Sequence, residues 1–144
     1  MGDSTKTGKW ANIEDTVNNL YGNIGATAQG ADALLIMGPN PVASKVSSVE
    51  YYPAAAIAGA DNDTRRVRLY NRKGDNSGAV VVAELSFVNG VNAGAKQKKA
   101  ITLSATAADL LLAAGDVLEW ATDHVGNGLA DPGGRVVVKS GYVN

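Results

Sequence analysis

From Val46 onward the chain breaks into short runs in which apolar and polar residues alternate, each closed by a turn signal. This pattern constrains the fold more than any other feature. A period of two sends successive side chains to opposite faces of a strand, and strands this short must pair side by side before they bury anything. Val46 to Tyr52 puts Val49 and Tyr51 on one side and ends at Pro53. Thr64 to Asn71 points Val67 and Leu69 one way and Arg66, Arg68 and Tyr70 the other. Ala79 to Phe87 sets Val81, Ala83, Leu85 and Phe87 against Glu84 and Ser86. Ala100 to Leu103 is a short strand, Asp116 to His124 aligns Leu118 with Trp120, and Arg135 to Val143 is the last run. Asn71 to Gly78, the polar loop from Asn89 to Lys99, and Asp131-Pro132-Gly133 punctuate them; in the last, Pro fixes φ and Gly supplies φ > 0. Thr106-Ala-Ala-Asp109 has two readings. It matches a capping box ahead of an apolar run that Gly115 can close, or it is extended with Leu110 and Leu112 inward. The fold class expected is all-β: an antiparallel β-sandwich or a jelly-roll-like barrel.

The texture before Pro39-Asn40-Pro41 differs. Residues 1–41 are rich in Gly, Asn, Ala and Thr and hold no sustained period, so they read as an N-terminal arm, partly helical or extended, on a sandwich domain of residues 42–144. Trp10, Ile13, Val17 and Leu20 have helical spacing, with Asn12 or Asp15 as a cap. Tyr21 to Gly30 carries three glycines and is expected to be irregular. Ala33-Leu-Leu-Ile-Met37 is a short apolar run with two readings: an anchor that docks on a partner, or a segment that packs on its own domain. A segment without a core of its own can order on a partner, so the candidate protein-interface residues are Trp10, Ile13, Leu34, Leu35 and Ile36, with Arg66 and Arg68 from the basic cluster. Residues 42–144 are expected to fold alone.

Composition narrows the function classes. The chain has 144 residues, a formal net charge of -1, and 45 % hydrophobic residues that are mostly Ala and Val, with Phe87 the single Phe. A near-neutral chain with little aromatic interleaving gives no footing for direct nucleic-acid binding. Without cysteine there is no disulfide and no thiolate metal site. The N-terminus lacks the apolar stretch of a signal peptide, no run of 18 apolar residues suggests a membrane span, and Lys6 breaks the myristoylation pattern.

Catalytic signatures are equally thin. His124 is the single His and continues the Leu118–Trp120 alternation, and no GxSxG elbow is present, so no catalytic residue is assigned. Asp61-Asn62-Asp63 begins like a calcium loop, but Arg65 and Arg66 occupy the positions that need an oxygen ligand and a glycine. Gly22, Gly25 and Gly30 do not reproduce a dinucleotide fingerprint. The expectation is a protein with no cofactor, no metal and no enzyme activity. Its basic clusters, Arg65 to Lys73 and Lys96 to Lys99, read as solvated faces or as contacts for an acidic surface.

A string of landmarks runs through the second part of the chain. It comprises Tyr52-Pro-Ala-Ala-Ala-Ile57, Asp63-Thr64, Arg68-Leu-Tyr-Asn71, Val82-Ala-Glu-Leu85, Gly90-Val-Asn-Ala93, Leu103-Ser-Ala-Thr106, Ala114-Gly-Asp-Val-Leu118, and His124 through Gly134. Taken together they resemble small β-sandwich head decoration (capsid cement) proteins of tailed bacteriophages. The resemblance covers the stretch from Val46 to the end and leaves out the arm. It implies a structural virion protein on the outer capsid surface, made in the host cytoplasm. Such a protein binds the major capsid protein, bridges its subunits to stabilise the shell, and assembles as a homo-oligomer, often a trimer, with no membrane partner. An arm of this kind can add a strand or fill a groove on a neighbour. The competing expectation is a carbohydrate-binding sandwich displayed on a virion fibre or tail, with Trp120, Tyr51, Tyr52, Tyr70 and Tyr142 as aromatic candidates. The inward phase of Trp120 and Tyr51 counts against it.

Overall fold

A computed structural model of the chain describes residues 17–143. Nine strands follow in order: β1 (Val17–Ile24), β2 (Ala33–Met37), β3 (Ser44–Pro53), β4 (Thr64–Asn71), β5 (Val80–Ser86), β6 (Lys99–Leu103), β7 (Leu111–Leu112), β8 (Leu118–Val125) and β9 (Gly134–Tyr142). They hydrogen-bond in the order β1-β9-β3-β6-β5-β4-β8-β2, with β7 attached to β3. Every pairing is antiparallel. β6 passes from one sheet to the other, pairing β3 at Val49↔Ile101 and β5 at Ala83↔Leu103. The result is the expected all-β architecture: two faces of one antiparallel sheet rolled into a nearly closed barrel. Among the described residues no helix is long and apolar enough to cross a membrane.

Among the described residues the rolled sheet closes without a ladder at one seam. β1 and β2 are the two ends of the strand order, and side chains bridge them. A Cβ on Gly22 of β1 would lie 2.5 Å from Leu35 Cδ2 and 2.8 Å from Met37 Sδ of β2, so the glycine lets those side chains fill the gap without repacking. The interior is packed by the inward phase of each strand: Tyr51 and Trp120 with ring centroids 5.4 Å apart, around Phe87, Leu69, Leu118, Val67 and Val138, all buried.

The strand phases hold in β4, in β8 and in β3 from Ser48 on; a register shift between Val46 and Ser48 puts both Val46 and Val49 in the core. In β5 the phase slips. The β4–β5 register shifts between Leu69↔Ala83 and Tyr70↔Val81, so Val82 has no partner of its own and turns inward beside Ala83. This is a β-bulge, where two residues oppose one and the side-chain alternation is reset. Val81, expected inward, lies half-buried opposite Tyr70. The Thr106–Asp109 segment becomes a single 3-10 turn, Ala107–Leu110. Thr106 makes no capping bond there, and Ser104 Oγ donates to Asp109 Oδ2 instead.

The boundary expected at Pro39-Asn40-Pro41 needs correction. Val17–Ile24 forms eight register pairs with β9, from Val17↔Gly141 to Ile24↔Gly134, and Ala33–Met37 pairs β8. Residues 17–37 are therefore part of the barrel, not an arm. Val17 to Leu20 are strand, so the helix expected over Trp10 to Leu20 does not include them; its earlier residues, Trp10 and Ile13 among them, lie outside the described residues. Tyr21 to Ile24, expected to be irregular, continues that strand. Asn40 is a keystone at the barrel end. Its Nδ2 donates to Val42 O (2.7 Å) and Ala113 O (3.1 Å), its Oδ1 accepts from Asn18 Nδ2, and its backbone exchanges bonds with Asp116 O and Gly115 N. The change of texture marks the crossing from β2 in one sheet to β3 in the other.

Candidate functional site

Inside the barrel a polar network surrounds Asp131, which is 1 % exposed. Tyr51 Oη and Thr122 Oγ1 donate to its two carboxylate oxygens, and Gly133 N adds a third donor. Burial, and then the bond to the Asp131 carboxylate, push the Tyr51 hydroxyl far above its usual range. A neutral Tyr and a satisfied carboxylate tie β3, β8 and the loop before β9 together, which is a structural task. Arg65, wholly buried, donates from Nε to Leu129 O, from Nη1 to Ala31 O and from Nη2 to Ala28 O. It pins the β1–β2 and β8–β9 loops to the barrel end. It belongs to the interior, not to the solvated basic face expected from its neighbours.

The outer face of β4, β8 and β2 carries two of the expected interface groups. Register places Arg68, Ala121 and Leu34 in one row and Tyr70, Glu119 and Ile36 in the next. Arg66 grips Asp123 through Nε (3.0 Å) and Nη2 (2.8 Å), and Arg68 reaches the same carboxylate. Burial raises the Asp123 carboxyl, but the Arg66 hydrogen bond and the Arg68 charge outweigh it and hold the group below the usual range. Arg72 bonds Glu119 at 2.7 Å, and Arg68 and Arg72 both stack on the Tyr70 ring. Beside this charge-balanced lattice, Leu34 is 60 % and Ile36 55 % exposed. Leu35, between them, turns inward and packs against the core. The structure thus brings Leu34, Ile36, Arg66 and Arg68 onto one face and separates Leu35 from them.

The outer face of β1, β9 and β3 is different in kind. Rows run Tyr21–Val137–Glu50 and Asn23–Arg135–Tyr52, with Asn19–Lys139–Ser48 above. Apart from Asn23 and Ser48 they line an open cleft of about 470 Å³ floored by Val137. Tyr21 stands 58 % exposed, with Arg135 over its ring and Asn19 Nδ2 donating to its hydroxyl. The sequence treated Tyr21 as the start of an irregular segment, so this face was not found. The missed signal was a period of two through Leu20, Gly22 and Ile24, interrupted by a glycine.

The aromatics expected for carbohydrate binding disperse. Trp120 and Tyr51 are in the core, as their phase required, and Tyr70 is covered by two guanidinium groups. His124 Nδ1 lies 2.6 Å from Asp32 Oδ1, and His124 N donates to the same oxygen. The hydrogen bond to His124 lowers the Asp32 carboxyl. The pair closes the loop before β2 onto β8, and no hydroxyl nucleophile completes it among the hydrogen bonds described. Among the described residues no group of three His, Asp or Glu side chains converges as a metal site. No family model and no curated protein matches the chain.

Proposed function

We propose that this chain is a structural virion protein that coats the outside of a bacteriophage capsid, binding the major capsid protein with the outer face of β4, β8 and β2. One observation carries the reading: Leu34 and Ile36 project side by side from an edge strand, flanked by arginines already locked to carboxylates. Burying both would contribute about 1–2 kcal/mol each, so one copy binds weakly and many copies bind as a shell through repetition by symmetry. The locked rim needs little further ordering, which lowers the cost of docking. The landmarks from Val46 to the end support the same class, and a homotrimer would set three such faces around a symmetry axis. On this reading the protein is not an enzyme and needs no cofactor.

The test is co-sedimentation of the purified protein with expanded capsids of the virus that encodes it. Wild type should saturate the capsid. Leu34→Ser/Ile36→Ser should stay folded and lose saturation. If wild type ignores the capsid, the function is wrong; if the double variant binds like wild type, the face is wrong.

A further inference from the structure

We propose that Asn89 is a self-modification site: it closes on Gly90 to a succinimide, reopens as aspartate or isoaspartate, and so loosens the hold of its turn on the segment before β4. The proposal does not depend on the capsid reading, since the turn lies between β5 and β6, away from the face used there. The bond-making is internal. The Gly90 backbone nitrogen attacks the side-chain amide carbon of Asn89. The bond from that carbon to its NH2 group breaks, and the group leaves as ammonia with the proton that the Gly90 nitrogen gives up. Water then adds to one of the two ring carbonyls. Opening at one leaves aspartate. Opening at the other leaves isoaspartate, with the main chain running through the former side chain.

The chain holds Asn-Gly twice, at 89–90 and 127–128, and the fold treats the two pairs differently. Both sit on turns closed by a bond from the fourth residue to the first: Val91 N to Val88 O (2.9 Å) and Gly128 N to Val125 O (3.1 Å). They differ by one place. Gly128 is the fourth residue, so its N–H is committed to closing the turn, and the residue is buried. Gly90 is the third, with φ +86°, a position whose amide the turn itself does not use. Among the described residues no acceptor takes the Gly90 N–H and no hydrogen bond engages the Asn89 side chain; both residues are exposed. A Cβ on Gly90 would meet nothing within 4 Å, so the nitrogen is open to approach. The nearby Asn76 and Asn92 are guarded as Asn127 is: Ser77 N donates to Asp75 Oδ1 and Ala93 N to Ile57 O. Conversion then acts on a tight contact. A Cβ on Gly59 would collide with Val88 O and Val91 O, so backbone meets backbone there without slack. Isoaspartate lengthens the main chain at this contact. Either product also sets a carboxylate beside Asp61, whose Oδ1 accepts from Asn89 N at 3.3 Å.

The experiment is peptide mapping by tandem mass spectrometry of the full-length protein, incubated at mildly alkaline pH both folded and in urea. In the folded protein Asn89 should convert about tenfold faster than Asn127, where a hydrogen bond must first break. In urea the two rates should become equal, because both pairs are Asn-Gly. The converted protein should accept label at residue 89 from an isoaspartyl methyltransferase. It should also exchange the Gly59 and Ala60 amides faster, which are bonded to Asn92 Oδ1 and Phe87 O. Asn89→Gln, whose longer side chain closes the ring far more slowly, should show neither change. Equal rates in the folded protein, or a difference that persists in urea, would overturn the proposal, since the fold would then not be what exposes Asn89. So would conversion that leaves exchange at Gly59 and Ala60 unaltered.

Discussion

Arg65 shows how a single residue can hold a fold while looking like surface. Its guanidinium is fully buried and finds three loop carbonyls, at Ala28, Ala31 and Leu129. Only arginine presents a planar fork that reaches several acceptors at once. Arg65→Lys keeps the charge but loses the fork, and should cost about 3 kcal/mol because buried carbonyls go unpaired. Urea unfolding with an unchanged slope checks this, and a cost near zero would mean the loops do not rely on Arg65. Its inward phase was legible, since Arg65 shares parity with Val67 and Leu69. Its charge argued the other way, and carbonyl partners in distant loops leave no trace in sequence. Asp123 carries the second prediction at this scale. Its folded carboxyl sits below the ordinary value of about 3.9. The resulting stabilisation is therefore full above that value and is lost as pH falls through the lower folded value. Asp123→Asn should cost about 1–2 kcal/mol at neutral pH and flatten the acid limb of a stability–pH curve. An unaltered acid limb would assign acid sensitivity to other carboxylates.

Among the elements, β1 and β5 explain what the sequence hides. β1 reads Val-Asn-Asn-Leu-Tyr-Gly-Asn-Ile, and Asn and Gly are poor strand formers, so propensity opposed a strand that the ladder with β9 enforces. Its inward residues are Leu20, Gly22 and Ile24, and the glycine that seats Leu35 and Met37 removes the hydrophobic period at its centre. The β5 bulge is equally silent, because Val80-Val-Val82 has no polar residue to mark a phase change. Where polar partners alternate cleanly, as in β4 and β8, the assignment of faces was fully legible. The consequence for truncation is direct. Deleting residues 1–16 spares all nine strands and should leave a cooperatively folded protein. Deleting residues 1–40 removes β1, β2 and the Asn40 keystone, exposing Val136, Val138 and Trp120, and should abolish cooperative unfolding by calorimetry. A folded 41–144 fragment would show that the barrel tolerates losing both edge strands, and would restore the original boundary. Asn40→Ala, by the same logic, should cost about 2 kcal/mol for the acceptors it strands.

At the scale of the whole molecule, the described residues close the barrel by ladders except at the β1–β2 seam, where side chains make the join. Ladder closure is cooperative, whereas a side-chain seam can open locally without unpairing its neighbours. Gly22 is the place to test this. An added methyl would meet the ends of Leu35 and Met37, both flexible, so Gly22→Ala should be absorbed by repacking at about 1 kcal/mol. Gly22→Val adds branches that the same space cannot hold, and should cost about 2–3 kcal/mol by forcing the edges apart. The informative readout is where the loss falls. Hydrogen exchange of β1 and β2 amides facing the seam should speed up in Gly22→Val, while the β3–β9 and β4–β8 ladders keep their protection. Leu34 and Ile36 ride on β2, so if the proposed capsid-binding role holds, the wedge should also weaken capsid binding without touching either residue. If the wedge instead loosens all ladders equally, the seam is not a separate joint. The two outer faces would then be coupled through a single rigid barrel.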